Sequence, residues 1–292
     1  MPTPAEQIEA WMRDALTVMR QNLRVALQDV ATHRVLVVSG WNDSADARRS
    51  IARYLVGLRM CAISAALAIR AELADTDEGR VELEKNVHSI IGDAPGTLTP
   101  DEIGTRRNPW IAEGMWHLCF AVARNLAAAH PPGAVVAVHL PHPRVTDHGI
   151  DVAVIYRFEN EFGISIVETK AYPRNVSGAV QNSLQFFREV DDGDHAVRLR
   201  QMIATMRAAL PPTDQPLISQ TLWQQRRAYI ANPHYEATHA PDWSNERPAL
   251  AKLFPGSEGV FIMPHGVAGF DAFFDHVAEE MRRAVEEIVT HV

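Results

Sequence analysis

Two acids and a lysine mark the segment from Gly149 to Lys170: Asp151 lies near its start, Glu168 and Lys170 at its end. Carboxylates can hold a hard divalent cation, and a lysine beside them can orient a water or balance an anion. Such chemistry needs the groups to meet, and the intervening residues supply the means. Ile150 to Arg157 and Phe162 to Lys170 are rich in β-branched and aromatic side chains, and Glu159, Asn160 and Glu161 interrupt them as a turn does. A turn centred between Glu159 and Asn160 makes paired residue numbers sum to 319, which sets Asp151 opposite Glu168. Alternation then sends Asp151, Ala153 and Ile155 to one face, where Ile164, Ile166, Glu168 and Lys170 join them. Charges gathered at the end of an apolar surface need partners or a metal. The plainer alternative is a Lys170 ion pair at a sheet margin, and a one-residue slip would carry Asp151 to the opposite face.

The elements around this hairpin must position it. Asn108-Pro109 reads as an N-cap followed by proline at the first helical position, with a helix over Trp110 to Ala129. Glu113 falls in its first turn, where the helix dipole alone favours an acid. Strands are expected over Ala134–Leu140, Ile150–Arg157 and Phe162–Lys170, then a helix over Val176–Leu210 broken near Gly193, then a strand over Ala228–Ala231. Asn232–Ser257 reads as a long loop with a short helix, Val260–Met263 as a final strand and Phe270–Val289 as a closing amphipathic helix. This order predicts an α/β fold with a central mixed sheet flanked by helices. Upstream, periodicity predicts a helix over Pro4–Val30, a short strand over Val35–Ser39, a Ser44-capped helix over Ala45–Ala74 and a helix over Glu78–Ile91. Breakers between Gly92 and Asn108 divide a helical N-terminal region, residues 1–95, from a second unit, residues 105–292.

With 292 residues and 47% hydrophobic content the chain can build an ample core. No apolar run approaches the roughly 20 residues of a membrane span, and Met1 to Ala10 has no signal-like stretch, so a cytoplasmic protein with no membrane partner is expected. Cys61 and Cys119 lie in apolar helical surroundings and read as buried thiols. The net charge of −8 counts against a free-standing, tight binder of nucleic acid. It leaves room for a local groove, for which Arg106, Arg107, Arg174, Arg188, Arg198, Arg200, Arg226 and Arg227 are candidates, or for a partner that supplies the grip. His139, His142 and His148 with Asp147 bracket a turn, but their spacing fits no ligand signature and they read as loop histidines. Trp110, Trp116 and Trp223 read as core aromatics. No Gly-x-x-x-x-Gly-Lys loop is present, so any ATP-driven step belongs to another protein.

With Ile150-Asp151 opening one strand, Glu168-Thr169-Lys170 closing the next and Glu113 on the preceding helix, the chain from about Asn108 to Ala231 resembles the PD-(D/E)xK nuclease superfamily. The resemblance implies a restriction-endonuclease-like core of helix, three strands, helix and strand. It also implies Mg²⁺, replaceable by Mn²⁺, held by Asp151, Glu168, Glu113 and the Thr169 carbonyl, with Lys170 acting on the attacking water. Gln181 and Arg174 are candidate contacts to the substrate. Ile150 stands where the literal motif has proline, and Gln181 is followed by Gln185 where one branch carries tyrosine. The stretch Glu168-Thr169-Lys170-Ala171-Tyr172, running into a long helix, is similar to the nuclease subunit of Hachiman-type antiphage defence systems. The superfamily resemblance implies DNA as substrate, and the Hachiman-type similarity implies a helicase or other defence-complex subunit as partner. A nuclease-fold scaffold that binds without cutting is the alternative.

Overall fold

A computed structural model of the chain describes residues 2–41, 44–66, 74–123, 132–141 and 149–290. In chain order the elements are α1 (Pro4–Asn22), β1 (Arg24–Val30), β2 (His33–Ser39), α2 (Ala45–Ala66), α3 (Asp77–Ile91), α4 (Pro100–Glu102) and α5 (Asn108–Ala123). There follow β3 (Ala134–Val138), β4 (Val152–Phe158), β5 (Glu161–Ala171), α6 (Val176–Asp192), α7 (Ala196–Ala208), α8 (Leu222–Gln225), β6 (Arg227–Glu236), β7 (Val260–Ile262), β8 (His265–Val267) and α9 (Phe270–Val289). The fold is α/β around one mixed sheet ordered β1-β2-β7-β6-β5-β4-β3, with β8 pairing β6.

The β4–β5 hairpin forms in the register that the turn dictates. Its pairs run from Val152↔Val167 to Phe158↔Glu161, and each sums to 319. Glu159 carries the positive φ, 54°, that a two-residue hairpin turn asks for. Strand β3 adds to β4 antiparallel, whereas β6 lies parallel to β5 across the α6–α7 connection. Alternation gives the sheet two apolar faces. Ala153, Ile155, Ile164 and Ile166 pack with Leu184, Phe187, Leu199 and Met202 of α6 and α7. Val152, Val154 and Val167 instead join a core with α1, α2, α3, α5 and α9. The carboxyl end of β5 therefore emerges between helices that flank opposite faces of the sheet.

Three sequence expectations need correction. Residues 24–30 were expected to continue the first helix, but Leu23 turns extended (φ −64°, ψ 135°) and Arg24–Val30 pairs with β2 as a hairpin. Because β1 is an edge strand with no buried face, it lacks the alternation that would have announced it. The N-terminal region is thus not wholly helical: β2 lies parallel to β7 and carries the sheet outward. The second correction concerns the helix bearing Glu113. It starts at Thr99, whose hydroxyl accepts from the Glu102 N–H while the Glu102 carboxylate accepts from the Thr99 N–H, with Pro100 at the first helical position. The chain stays helical through a π-helical stretch, Ile103–Arg107, into α5, and Asn108 is interior with αR backbone. Pro109 explains the stretch: it has no N–H to donate and its ring crowds the carbonyl four residues back, so the helix widens there. Thirdly, β7 is not the last strand, since His265–Val267 pairs with β6, which itself extends to Glu236 into the segment read as loop.

The hairpin register rests partly on Gly163, which faces Tyr156 across the ladder. A β-carbon at 163 would run into the Tyr156 ring, which lies over the glycine. Gly163→Val is expected to cost about 1–3 kcal/mol, read as a lowered urea midpoint. An unchanged midpoint would mean that the ladder does not pair these two residues.

Candidate active site

Strand β5 outruns β4 by several residues, and the site is built on that overhang. Ile164 and Tyr172 donate their N–H groups toward β6, to the carbonyls of Arg226 and His234. Alternation then turns both polar groups of Thr169 toward the β4 edge. There the Thr169 N–H donates to Asp151 Oδ2 at 2.7 Å, so a carboxylate stands where the next rung of the ladder would be. The Thr169 carbonyl opens on the same edge. Asp151 is steered by Gly149, whose φ of 153° suits glycine and whose missing β-carbon makes room for the Arg198 guanidinium.

Glu168 is buried, at 4% exposure. Its Oε1 accepts from the Lys170 ammonium, and its Oε2 is buried with no partner among the described residues. Glu113, half-buried on α5, reaches the same cleft from the other face of the sheet. The cleft holds about 500 Å³ and is lined by Gly104, Thr105, Pro109, Glu113, Gly149, Asp151, Glu168 to Tyr172, Phe186, Glu189 and His195. Since Glu113 lies well inside a helix that begins at Thr99, the dipole of a helix start does not account for it.

The electrostatics are unfavourable as they stand. Burial, then the charges of Asp151 and Glu168, raise the Glu113 carboxyl well above its usual range, with Lys170 opposing. Burial lifts Asp151 to about 6 against the pull of Lys170, the Thr169 N–H and Arg198. Glu168 is pushed well up by burial and by Asp151, again opposed by Lys170. For Lys170, burial works downward, but Glu168 and Asp151 outweigh it and raise the ammonium above its usual value. With no cation on those carboxylates, the Lys170 proton is held firmly. An all-oxygen donor set with an orphaned buried carboxylate oxygen fits a hard cation such as Mg²⁺, which needs few protein carboxylates and keeps several waters. Among the described residues no three His, Cys, Asp or Glu side chains yet enclose a common point. Lys170 on Glu168 and the Thr169 N–H on Asp151 occupy oxygens that a cation would compete for.

The other expected residues divide. Gln181 and Arg174 are exposed and do not line this cleft. Arg107 and Arg227 are buried ion-pair partners of Asp275 and Asp191, and Arg226 pairs with Glu161, so none of these three forms a free basic groove. His139 is depressed by burial and its Nδ1 lies 2.5 Å from the Leu140 carbonyl, while His142, Asp147 and His148 fall outside the described residues. Trp110, Trp116 and Trp223 are buried, as core aromatics should be. Glu189 and His195 were missed. They flank Gly193, a clear helix stop, but nothing in their spacing ties them to the hairpin.

Groups whose pKa is raised on folding stabilise the fold below their unfolded value and lose that contribution as pH rises through the folded one. For Asp151 the window runs from 3.8 to about 6, and Glu113 and Glu168 extend it upward. Metal-free protein is therefore expected to lose stability between pH 4 and neutrality. Glu113→Gln, which removes one carboxylate with no described donor, should gain about 0.5–2 kcal/mol at pH 7.5 without metal. Denaturant titration checks both, and a destabilised Glu113→Gln would contradict the crowding of negative charge. Compared with known proteins, the sequence matches no family model and no curated protein.

Proposed function

We propose that the chain is a Mg²⁺-dependent nuclease of the PD-(D/E)xK kind that hydrolyses phosphodiester bonds in DNA, with Mn²⁺ able to substitute. One observation carries the reading: Glu113 of α5, Asp151 just before β4, and Glu168 and Lys170 of β5 meet in one cleft where a buried Glu168 oxygen has no partner among the described residues. The order α5, β3, β4, β5, then the helical connection α6 to α8, then β6 supports it as well, since helix, three strands, helical connection and strand follow the nuclease core that the sequence resembles.

Asp151, Glu168, Glu113 and the Thr169 carbonyl would hold the cation. When bound, it would neutralise the phosphoryl oxygens and make water a better nucleophile. Lys170 would orient the attacking water or help to deprotonate it, and would offset phosphate charge. The net charge of −8 and the ion-paired Arg107, Arg226 and Arg227 support delivery of DNA by a partner, such as the helicase or other defence-complex subunit that the resemblance implies. Any ATP-driven step would then be the partner's.

Incubation with plasmid and single-stranded DNA plus Mg²⁺ or Mn²⁺ tests the reading. Cleavage is expected, falling about 10²-fold or more in Lys170→Ala and Asp151→Asn. Cleavage that survives both substitutions would remove this site, and no cleavage with or without a helicase partner would favour the scaffold reading.

A further inference from the structure

The wall of the cleft formed by α6 and α7 carries a second pair of chemical groups. Helix α6 ends where Gly193 takes a left-handed φ of 93°, and the Asp194 N–H donates back to the Glu189 carbonyl at 3.0 Å. This tight turn folds the chain back, so that His195 returns to the side of the helix that it has just left. Its Nε2 lies 3.5 Å from Glu189 Oε2, and its ring centroid is 4.7 Å from that of Phe186. All three residues line the cleft with Glu168 and Lys170. The His195 side chain is 21% exposed, so it is partly sheltered yet reachable from the cleft. Among the described residues no group takes its Nδ1.

A histidine oriented by a carboxylate at one ring nitrogen is equipped to deliver a proton from the other. Phosphodiester hydrolysis needs that service at the departing oxygen. Lys170 lies beside Glu168 among the acids, whereas the α6–α7 turn contributes the imidazole from a separate element. We propose that His195 is the proton donor to the leaving oxygen in this cleft, with Glu189 as the residue that positions it; this rests on the nuclease reading above. In the step, the water oxygen bonds to phosphorus and its proton passes to solvent. The bond from phosphorus to the leaving oxygen breaks with its electron pair, and that oxygen takes the imidazolium proton. The neutral imidazole then regains a proton from solvent.

Sulfur in the bridging position leaves as a thiolate and needs no proton. The test compares the full chain and its His195→Gln and Glu189→Gln variants on three DNA strands with Mn²⁺: one ordinary, one with a single 3′-bridging sulfur and one with a single 5′-bridging sulfur. His195→Gln is expected to slow cleavage of the ordinary strand by about 10²- to 10⁴-fold while leaving one sulfur-bridged strand within about twofold of wild type. Glu189→Gln should show the same selectivity with a smaller loss. Equal losses on all three strands would overturn the proposal and leave His195 a positioning or structural residue. A wild type that cuts the ordinary strand but neither sulfur-bridged one would also overturn it, since protonation would not then govern departure. A wild type that cuts none of the three fails the nuclease reading itself, and is distinguished from failure at His195 alone by that result.

Discussion

Gathering Glu113, Asp151 and Glu168 around Lys170 buries three carboxyl groups together with one ammonium in their midst. Burial penalises each charge, and mutual repulsion penalises them again, so the acids hold protons more tightly than they would in water. A sheet end has no need of such an arrangement for stability. Apolar residues at these positions would extend the faces already built from Ile164, Ile166 and Val167. A divalent cation held there would relieve the strain directly, because its charge would replace protons on the oxygens that now repel one another.

The scaffold supplies this crowding through backbone features that are themselves unusual. A carboxylate takes the place of a ladder rung at Thr169. A glycine at 149 yields space to Arg198. A π-helical stretch before Pro109 sets the turn of α5 from which Glu113 reaches the cleft, and such widened turns cost helix regularity that tertiary packing must offset. These three devices meet at one cleft, whose far wall is the α6–α7 turn. Elsewhere the sheet is conventional, with two apolar faces and helices on both.

Much of this was legible in the sequence. Register followed from the alternation and the polar turn, because a slip by one residue would have exchanged the two apolar faces. The break at Gly193 and the closing helix over Phe270–Val289 were equally plain. What stayed hidden depended on tertiary partners. The exposed edge strand β1 has no face pattern, and its pairing with β2 is what makes it a strand. Asn108-Pro109 looked like a helix start because proline suits that place, and the stronger signal, the capping box from Thr99 to Glu102, lay inside a cluster of breakers. Glu189 and His195 belong to the site only because a helix packs over β5, a relation that spacing along the chain does not encode.

Whether this crowd of carboxylates takes up a cation is read by Mn²⁺ binding, followed by electron paramagnetic resonance on the metal-free chain. At least one Mn²⁺ is expected to bind per chain at pH 7.5, displaced by excess Mg²⁺, with binding at least about tenfold weaker in Glu168→Gln. Mn²⁺ that remains free in solution, or that binds equally well when Glu168 is replaced, would contradict it.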